Sequence, residues 1–191
     1  MIFNRHSDLA GRHATLSASK YHWIRYSNEK LLTWFKTQLM AKEGTELHEL
    51  AASLIKKGVK LPRNRKTLNL YVNDAIGFRM APEQILFYSP LAFGTVDAIV
   101  YRTIEGRTEL RIHDLKTGVS KASMDQLMIY VAFFCLEYEV RPFEIDLIEL
   151  RIYQNDDYEV HHPEKDEIVY IMDRIVTGDK LLNAMLEEAV G

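Results

Sequence analysis

The sequence predicts a mixed α/β or α+β domain, a central mixed sheet flanked by helices, with more helices ahead of it. Three observations carry this prediction. Residues 20–80 place apolar side chains at spacings of three, four and seven, the period of an amphipathic helix. Residues 84–115 change to period two and are rich in Val, Ile and Tyr, with a Gly-containing turn between two of the segments. A helix-like run, another alternating segment and a final amphipathic stretch follow. The order is then helices, three strands, helix, strand, helix.

Residues 1–19 are polar and mixed, with Ser17 and Ser19 as helix N-cap candidates. From Lys20 to Met40, residues Trp23, Ile24, Leu31, Leu32, Trp34 and Phe35 recur at near-helical spacing, as one or two helices broken near Ser27-Asn28. Trp23 and Tyr26 fit core packing better than base stacking. A further helix is expected from Ala41 to Lys57, with His48 on a stripe with Ala51, Ala52 and Ile55. Lys56, Lys57, Lys60, Arg63, Arg65 and Lys66 then form a basic run without an acid, and Gly58 and Pro62 mark it as a loop. Such a run reads either as a solvated face or as a track for phosphates.

Residues 67–80 read as a helix with Leu68, Val72 and Ile76 on one side, ended by Ala81-Pro82. The first strand is expected from Gln84 to Ser89, closed by Pro90. A hairpin follows: FGTVDAIVYR from Phe93, a turn at Glu105-Gly106, then ELRIHDLKTG. A helix covers ASMDQLMIYVAFF, and a fourth strand is expected over Phe143 to Gln154. Its turn is Asn155-Asp156-Asp157, with Tyr158 to His161 pairing back. His161 and His162, adjacent on a strand, would point to opposite faces and make a poor metal pair. Residues 164–190 give an amphipathic helix, with Gly178 as an interruption point. The expected organisation is one domain over 1–191: a mainly helical part over 1–80, a sheet core over 81–160 and the last helix.

The hairpin carries the chemistry. Asp97 lies on its first strand; Asp114 and Lys116, two apart on its second, share a face. Gln126 and Tyr130, four apart, share a face of the next helix. Two carboxylates about 4 Å apart repel by roughly 4 kcal/mol at an effective dielectric near 20. They are tolerated when one is protonated or a cation sits between them. Oxygen ligation suits Mg²⁺ or Mn²⁺, with the rest of the shell taken from water and phosphate. Lys116 would then orient the attacking water or neutralise charge developing on the phosphate. Taken alone, Asp114 and Lys116 also read as a surface ion pair, and His48 as a core residue.

The ordered set of Gly44-x-x-x-His48, Gly94-x-x-Asp97, Asp114-x-Lys116 and Gln126-x-x-x-Tyr130 resembles the RecB-like branch of the PD-(D/E)xK nucleases. It is also similar to lambda-type exonucleases and to the CRISPR-type exonucleases carried by bacteriophages of actinobacteria. The likeness spans roughly Ala41 to Tyr153. It implies a restriction-endonuclease-like core, and a metal-dependent deoxyribonuclease, most often an exonuclease, in phage recombination, replication or host DNA degradation. It implies further that Mg²⁺ or Mn²⁺ is held by His48, Asp97, Asp114 and the carbonyl of Leu115. Lys116 would assist the nucleophilic water, and Gln126 and Tyr130 would position the substrate strand or the lysine. Position 96 is Val where the family pattern has Pro. Many relatives hold an iron–sulfur cluster, which needs four thiolates. Cys135 is the sole cysteine, so no cluster is expected.

A chain of 191 residues, 47% hydrophobic and 27% charged, is neither disordered nor membrane-like. The longest apolar run, Ile129 to Leu136, is too short for a membrane span, and no signal peptide is expected. With a net charge of −3, DNA contact must be local, which favours the Lys56–Lys66 run as the DNA-binding segment. Neither a P-loop nor a GxGxxG motif occurs. The expected partner is DNA, with no membrane. A second copy or a recombination partner is left open, and the expected place is the cytoplasm, that of the host if the chain is phage-encoded. The alternative is a catalytically inactive DNA- or partner-binding module on the same fold.

Overall fold

The computed structural model describes residues 25–118 and 123–190. Ser17, Ser19 and Trp23 lie outside the described residues. The chain forms two compact units, residues 1–45 and 46–191. In the first, Ser27 caps the start of helix α1 (Asn28–Lys57), its hydroxyl accepting from the Lys30 N–H at 3.2 Å. Tyr26 meets Trp34 edge-on at 6.0 Å, and Lys30 sits 4.5 Å from the Tyr26 ring.

The expected break near Ser27-Asn28 is thus the helix start, whereas no new helix begins at Ala41. The segment around it, Met-Ala-Lys-Glu, is made of strong helix formers without Pro, so α1 continues through.

In the second unit, α2 (Thr67–Phe78) precedes strands β1 (Ala81–Ser89), β2 (Ala92–Ile104) and β3 (Arg107–Leu115). Helix α3 (Asp125–Glu137) and a 3₁₀ turn at Pro142–Glu144 lead to β4 (Leu147–Gln154), β5 (Asp157–His161) and α4 (Lys165–Val190). The sheet runs β1-β2-β3-β4-β5. Its pairs are antiparallel except β3 with β4, which are parallel and joined through α3. The fold is α+β, a five-stranded mixed sheet flanked by helices.

Turn chemistry explains the hairpins. Glu105 and Gly106 have φ of 50° and 81°, and Asn155 and Asp156 have φ of 54° and 59°, the paired positive values of a two-residue turn matched to strand twist. Pro82 lies inside β1, not ahead of it, because β1 is an edge strand and can spare an N–H. The fourth strand begins at Leu147 instead of Phe143, since Pro142 opens the 3₁₀ turn. Helix α4 passes through Gly178 without a break.

One core cluster, with Leu110, Ile112, Leu127, Val131, Leu150 and Ile168, joins the sheet to α3 and α4. The other, with Ala51, Ile55, Tyr71, Val72, Leu115 and Tyr153, joins it to α2 and the end of α1. Beside this second core lies a ladder of charges. Arg102 pairs with Glu109, Arg111 bridges Glu109 and Glu149, and Arg151 bridges Glu149 and Asp74. Phe78, at the end of α2, covers the guanidinium groups of Arg111 and Arg151 at 4.4 and 5.1 Å. Among the described residues, no helix is long and apolar enough to cross a membrane.

Candidate metal centre

The C-terminal ends of the parallel strands β3 and β4 lie together, tied by the Lys116 N–H on the Tyr153 carbonyl at 2.9 Å. The β2–β3 register, with Ala98 opposite His113, continues to set Asp97 across from Asp114. At this end of the sheet the sequence-predicted residues meet.

His48, on α1, places Nδ1 3.3 Å from Asp97 Oδ2. The same Asp97 oxygen accepts the Leu115 N–H at 2.8 Å, a contact of the Leu115 amide and not of the carbonyl expected as a ligand. Lys116 Nζ donates to Asp114 Oδ1 at 3.2 Å and to Gln126 Oε1 at 2.9 Å, and stands 3.0 Å from Asp114 Oδ2. Gln126 Nε2 in turn donates to the Tyr130 hydroxyl oxygen at 3.3 Å. The lysine fixes which way the amide faces: an ammonium only donates, so the amide oxygen turns to Lys116 and the nitrogen is left for the tyrosine.

Gly94 explains how Tyr130 comes so close. A Cβ at position 94 would stand 2.8 Å from Tyr130 Cε1, so the ring lies where any side chain on β2 would be. The spacing of Gly94 to Asp97 thus puts a bare backbone under the tyrosine and a carboxylate beside the histidine.

Asp114 is the most deeply set member, 3% exposed, and its Oδ2 is buried without a hydrogen bond. Burial, then the charge of Asp97, raises its pKa, and Lys116 opposes both. His48 is raised too, first by its hydrogen bond to Asp97 against burial, then by the charges of Asp97, Asp114 and Glu83.

Glu83 is the residue the motifs do not contain. Pro82 pairs with Ala98 and Gln84 with Val96, so Glu83 sits across from Asp97. One ligand atom each of His48, Glu83 and Asp97 lies within 4.8 Å of the others. That set does not include Asp114, which the motifs had offered as the third ligand. Burial and the charge of Asp97 raise the Glu83 pKa, and His48 and Lys56 lower it. No local motif signals Glu83; only the register of an edge strand does.

The basic run is exposed over Lys56, Lys57, Lys60, Arg63, Arg65 and Lys66. It is pinned to α2 by two amides. Asn73 both accepts the Leu61 N–H and donates to the Leu61 carbonyl, at 2.9 and 3.0 Å, and Asn69 donates to the Pro62 carbonyl at 2.9 Å. Thr67 and Asp156 exchange hydrogen bonds at 2.9 and 2.7 Å, and Arg65 lies 3.9 Å from Asp157. The run therefore ends beside the β4–β5 turn, at the same end of the sheet as Lys116. His161 and His162 take no part: His162 Nδ1 lies 3.0 Å from the Ile148 carbonyl, away from the cluster.

Scans of protein-family models, curated proteins and solved structures gave no match to this chain. The donor set itself fits a hard divalent cation. It offers an imidazole and two carboxylates, and beside it Asp114 has a buried oxygen with no hydrogen bond, 3.0 Å from Lys116 Nζ.

Proposed function

We propose that this chain is a divalent-metal-dependent deoxyribonuclease of the RecB-like PD-(D/E)xK kind, acting as an exonuclease on DNA in the cytoplasm of its cell. One observation carries the reading. Asp97, Asp114, Lys116, Gln126, Tyr130 and His48 converge at one end of the sheet, where, of three carboxylates counting Glu83, Asp114 alone forms an ion pair with a lysine, Lys116, among the described residues. Mg²⁺ or Mn²⁺, held among His48, the Asp97 and Asp114 carboxylates and the Leu115 main chain, would supply Lewis acidity toward a phosphodiester.

The residues' own parts follow from their contacts. Asp114 and Gln126 hold two of the three N–H bonds of the Lys116 ammonium, and the group remains partly exposed. Its remaining N–H is free to orient a water or to meet charge developing on a phosphate oxygen. Tyr130 accepts from the Gln126 amide nitrogen and so holds that side chain beside the lysine. The basic run from Lys56 to Lys66 offers the strand a path to this end of the sheet.

The test is degradation of end-labelled linear DNA beside the same sequence as a closed circle, with Mg²⁺ or Mn²⁺ and with chelator. Metal-dependent loss of the linear form alone is expected. No cleavage of either form with either metal would overturn the reading; cutting of the circle would replace exonuclease by endonuclease.

A further inference from the structure

Glu83 has no hydrogen bond or ion pair among the described residues, and its charged neighbours are Asp97, His48, Lys56 and Glu49. It is an exposed strand residue with φ of 53°, a left-handed conformation that a non-glycine residue seldom takes within a strand. His48 comes from α1, Glu83 from β1 and Asp97 from β2, so three separate elements deliver one donor each to a space under 4.8 Å wide. The second observation is independent of this cluster. On the neighbouring strand, Asp114 Oδ2 is buried without a hydrogen bond and has Lys116 Nζ at 3.0 Å, and the carboxylate's electrostatic neighbours are Asp97, Lys116 and His48.

We infer that Glu83 is a direct ligand of the divalent cation, forming with His48 and Asp97 a mixed nitrogen–oxygen site. This rests on the metal-dependent reading above and adds a ligand that none of its motifs contains. A set of one imidazole and two carboxylates takes Mn²⁺ more readily than Mg²⁺, because the nitrogen donor suits a transition ion. Glu83 also gives the site a member from the sheet edge, so an ion seated there would tie β1 to β2 and to α1.

The experiment uses the full chain with Mn²⁺, and with Mg²⁺ for the wild type, read by calorimetry and by the metal-induced rise in melting temperature. Glu83→Gln keeps shape and backbone and removes the charge; Glu83→Gly removes the ligand and relieves the positive φ. Glu105→Gln, in the exposed turn at the far end of the hairpin, is the control. Both Glu83 variants are expected to bind Mn²⁺ at least about tenfold more weakly, the lower end of what even outer-shell changes cost. Their metal-free melting temperature should be equal to or above that of the wild type, and Glu105→Gln should match the wild type throughout. A merely structural Glu83 would show the reverse, a lower metal-free melting temperature with Mn²⁺ affinity intact, and that result overturns the inference while leaving the nuclease reading in place. Absence of Mn²⁺ and Mg²⁺ binding in the wild type overturns both.

Discussion

Two charged clusters sit on one sheet, and they are built on opposite principles. In the ladder of Arg102, Arg111 and Arg151 with Glu109, Glu149 and Asp74, three guanidinium groups meet three carboxylates, and each acid touches at least one arginine. The pairs are cross-strand neighbours, Arg102 opposite Glu109 and Arg111 opposite Glu149. At the other cluster Lys116 pairs with Asp114 alone, His48 stands between Asp97 and Glu83, and one buried oxygen has no hydrogen bond. The ladder is complete as folded. The cluster is short of positive charge, which is what a site awaiting a cation requires. Charge on a buried sheet face therefore says little by itself; whether the chain supplies its own counter-charge separates scaffold from site.

The largest effect expected from breaking this contrast is on the ladder. Arg111→Met removes the partner shared by Glu109 and Glu149, whose side chains are 11% and 10% exposed. Glu109 keeps Arg102 and Glu149 keeps Arg151, but each loses a charge-assisted hydrogen bond worth about 1.5–3 kcal/mol, so denaturant unfolding should show a loss of about 3 kcal/mol. A loss under about 1 kcal/mol would mean that the arginine is dispensable and the ladder no scaffold.

Lys116→Ala attacks the cluster instead. Metal affinity should persist, while DNA cleavage at saturating substrate falls by about two orders of magnitude or more, as loss of one preorganised charge does. Near-full activity would make Lys116 a simple partner of Asp114, and the two clusters alike.

How much of this was readable in advance follows the same division. The hairpin was legible because Glu105-Gly106 is a turn signal between alternating segments, and Asn155-Asp156 likewise. Asp97, Asp114, Lys116, Gln126 and Tyr130 were legible as a group because they ride on three consecutive elements. Glu83 was not, since its place depends on pairing β1 with β2 through a stretch that begins Ala-Pro and looks like a breaker. The ladder was hidden differently. Glu109, Arg111, Glu149 and Arg151 alternate with apolar residues as on a solvated sheet face, and only the packing of α2, with Phe78 on the arginines, shows that face to be covered. The continuity of α1 was legible, since residues 40–43 are helix formers without Pro and no breaker stands behind the division expected at Ala41.

A carboxylate-to-amide change at one member of each cluster should have opposite signs. Glu109 is pushed up by burial but pulled below its ordinary range by hydrogen bonds from Arg102 and Arg111. A depressed folded pKa contributes stability above the unfolded value, near 4.3, and that contribution is lost as pH falls through the folded value. Glu109→Gln should thus cost about 1–2 kcal/mol at pH 7 and progressively less below pH about 4.5. Asp114→Asn, without metal at pH 7, should instead stabilise by about 1 kcal/mol, because a buried, repelled charge is removed. Urea unfolding of both variants reads the two signs; a loss at both sites would erase the distinction.

The smallest change to fold and turnover is expected at the basic run, which lies outside both clusters. Asn69 and Asn73 hold its backbone, so its exposed side chains can be cut back without unpinning the loop. With a net charge of −3, attraction to a phosphate backbone has to be local, and this run ends beside the β4–β5 turn near Lys116. Each phosphate neutralised adds about 0.7 to the logarithmic salt dependence for single strands and about 0.9 for duplex. Replacing Lys60, Arg63 and Arg65 with Ala should lower the salt slope of DNA binding by about two to three units. Affinity should fall equally for unrelated sequences, since phosphate contacts position a strand without reading it. Cleavage at saturating DNA should hold, because the proposed metal ligands and Lys116 are untouched. An unchanged salt slope in the triple variant would make the run a solvated face and send the DNA path past some other side of the sheet.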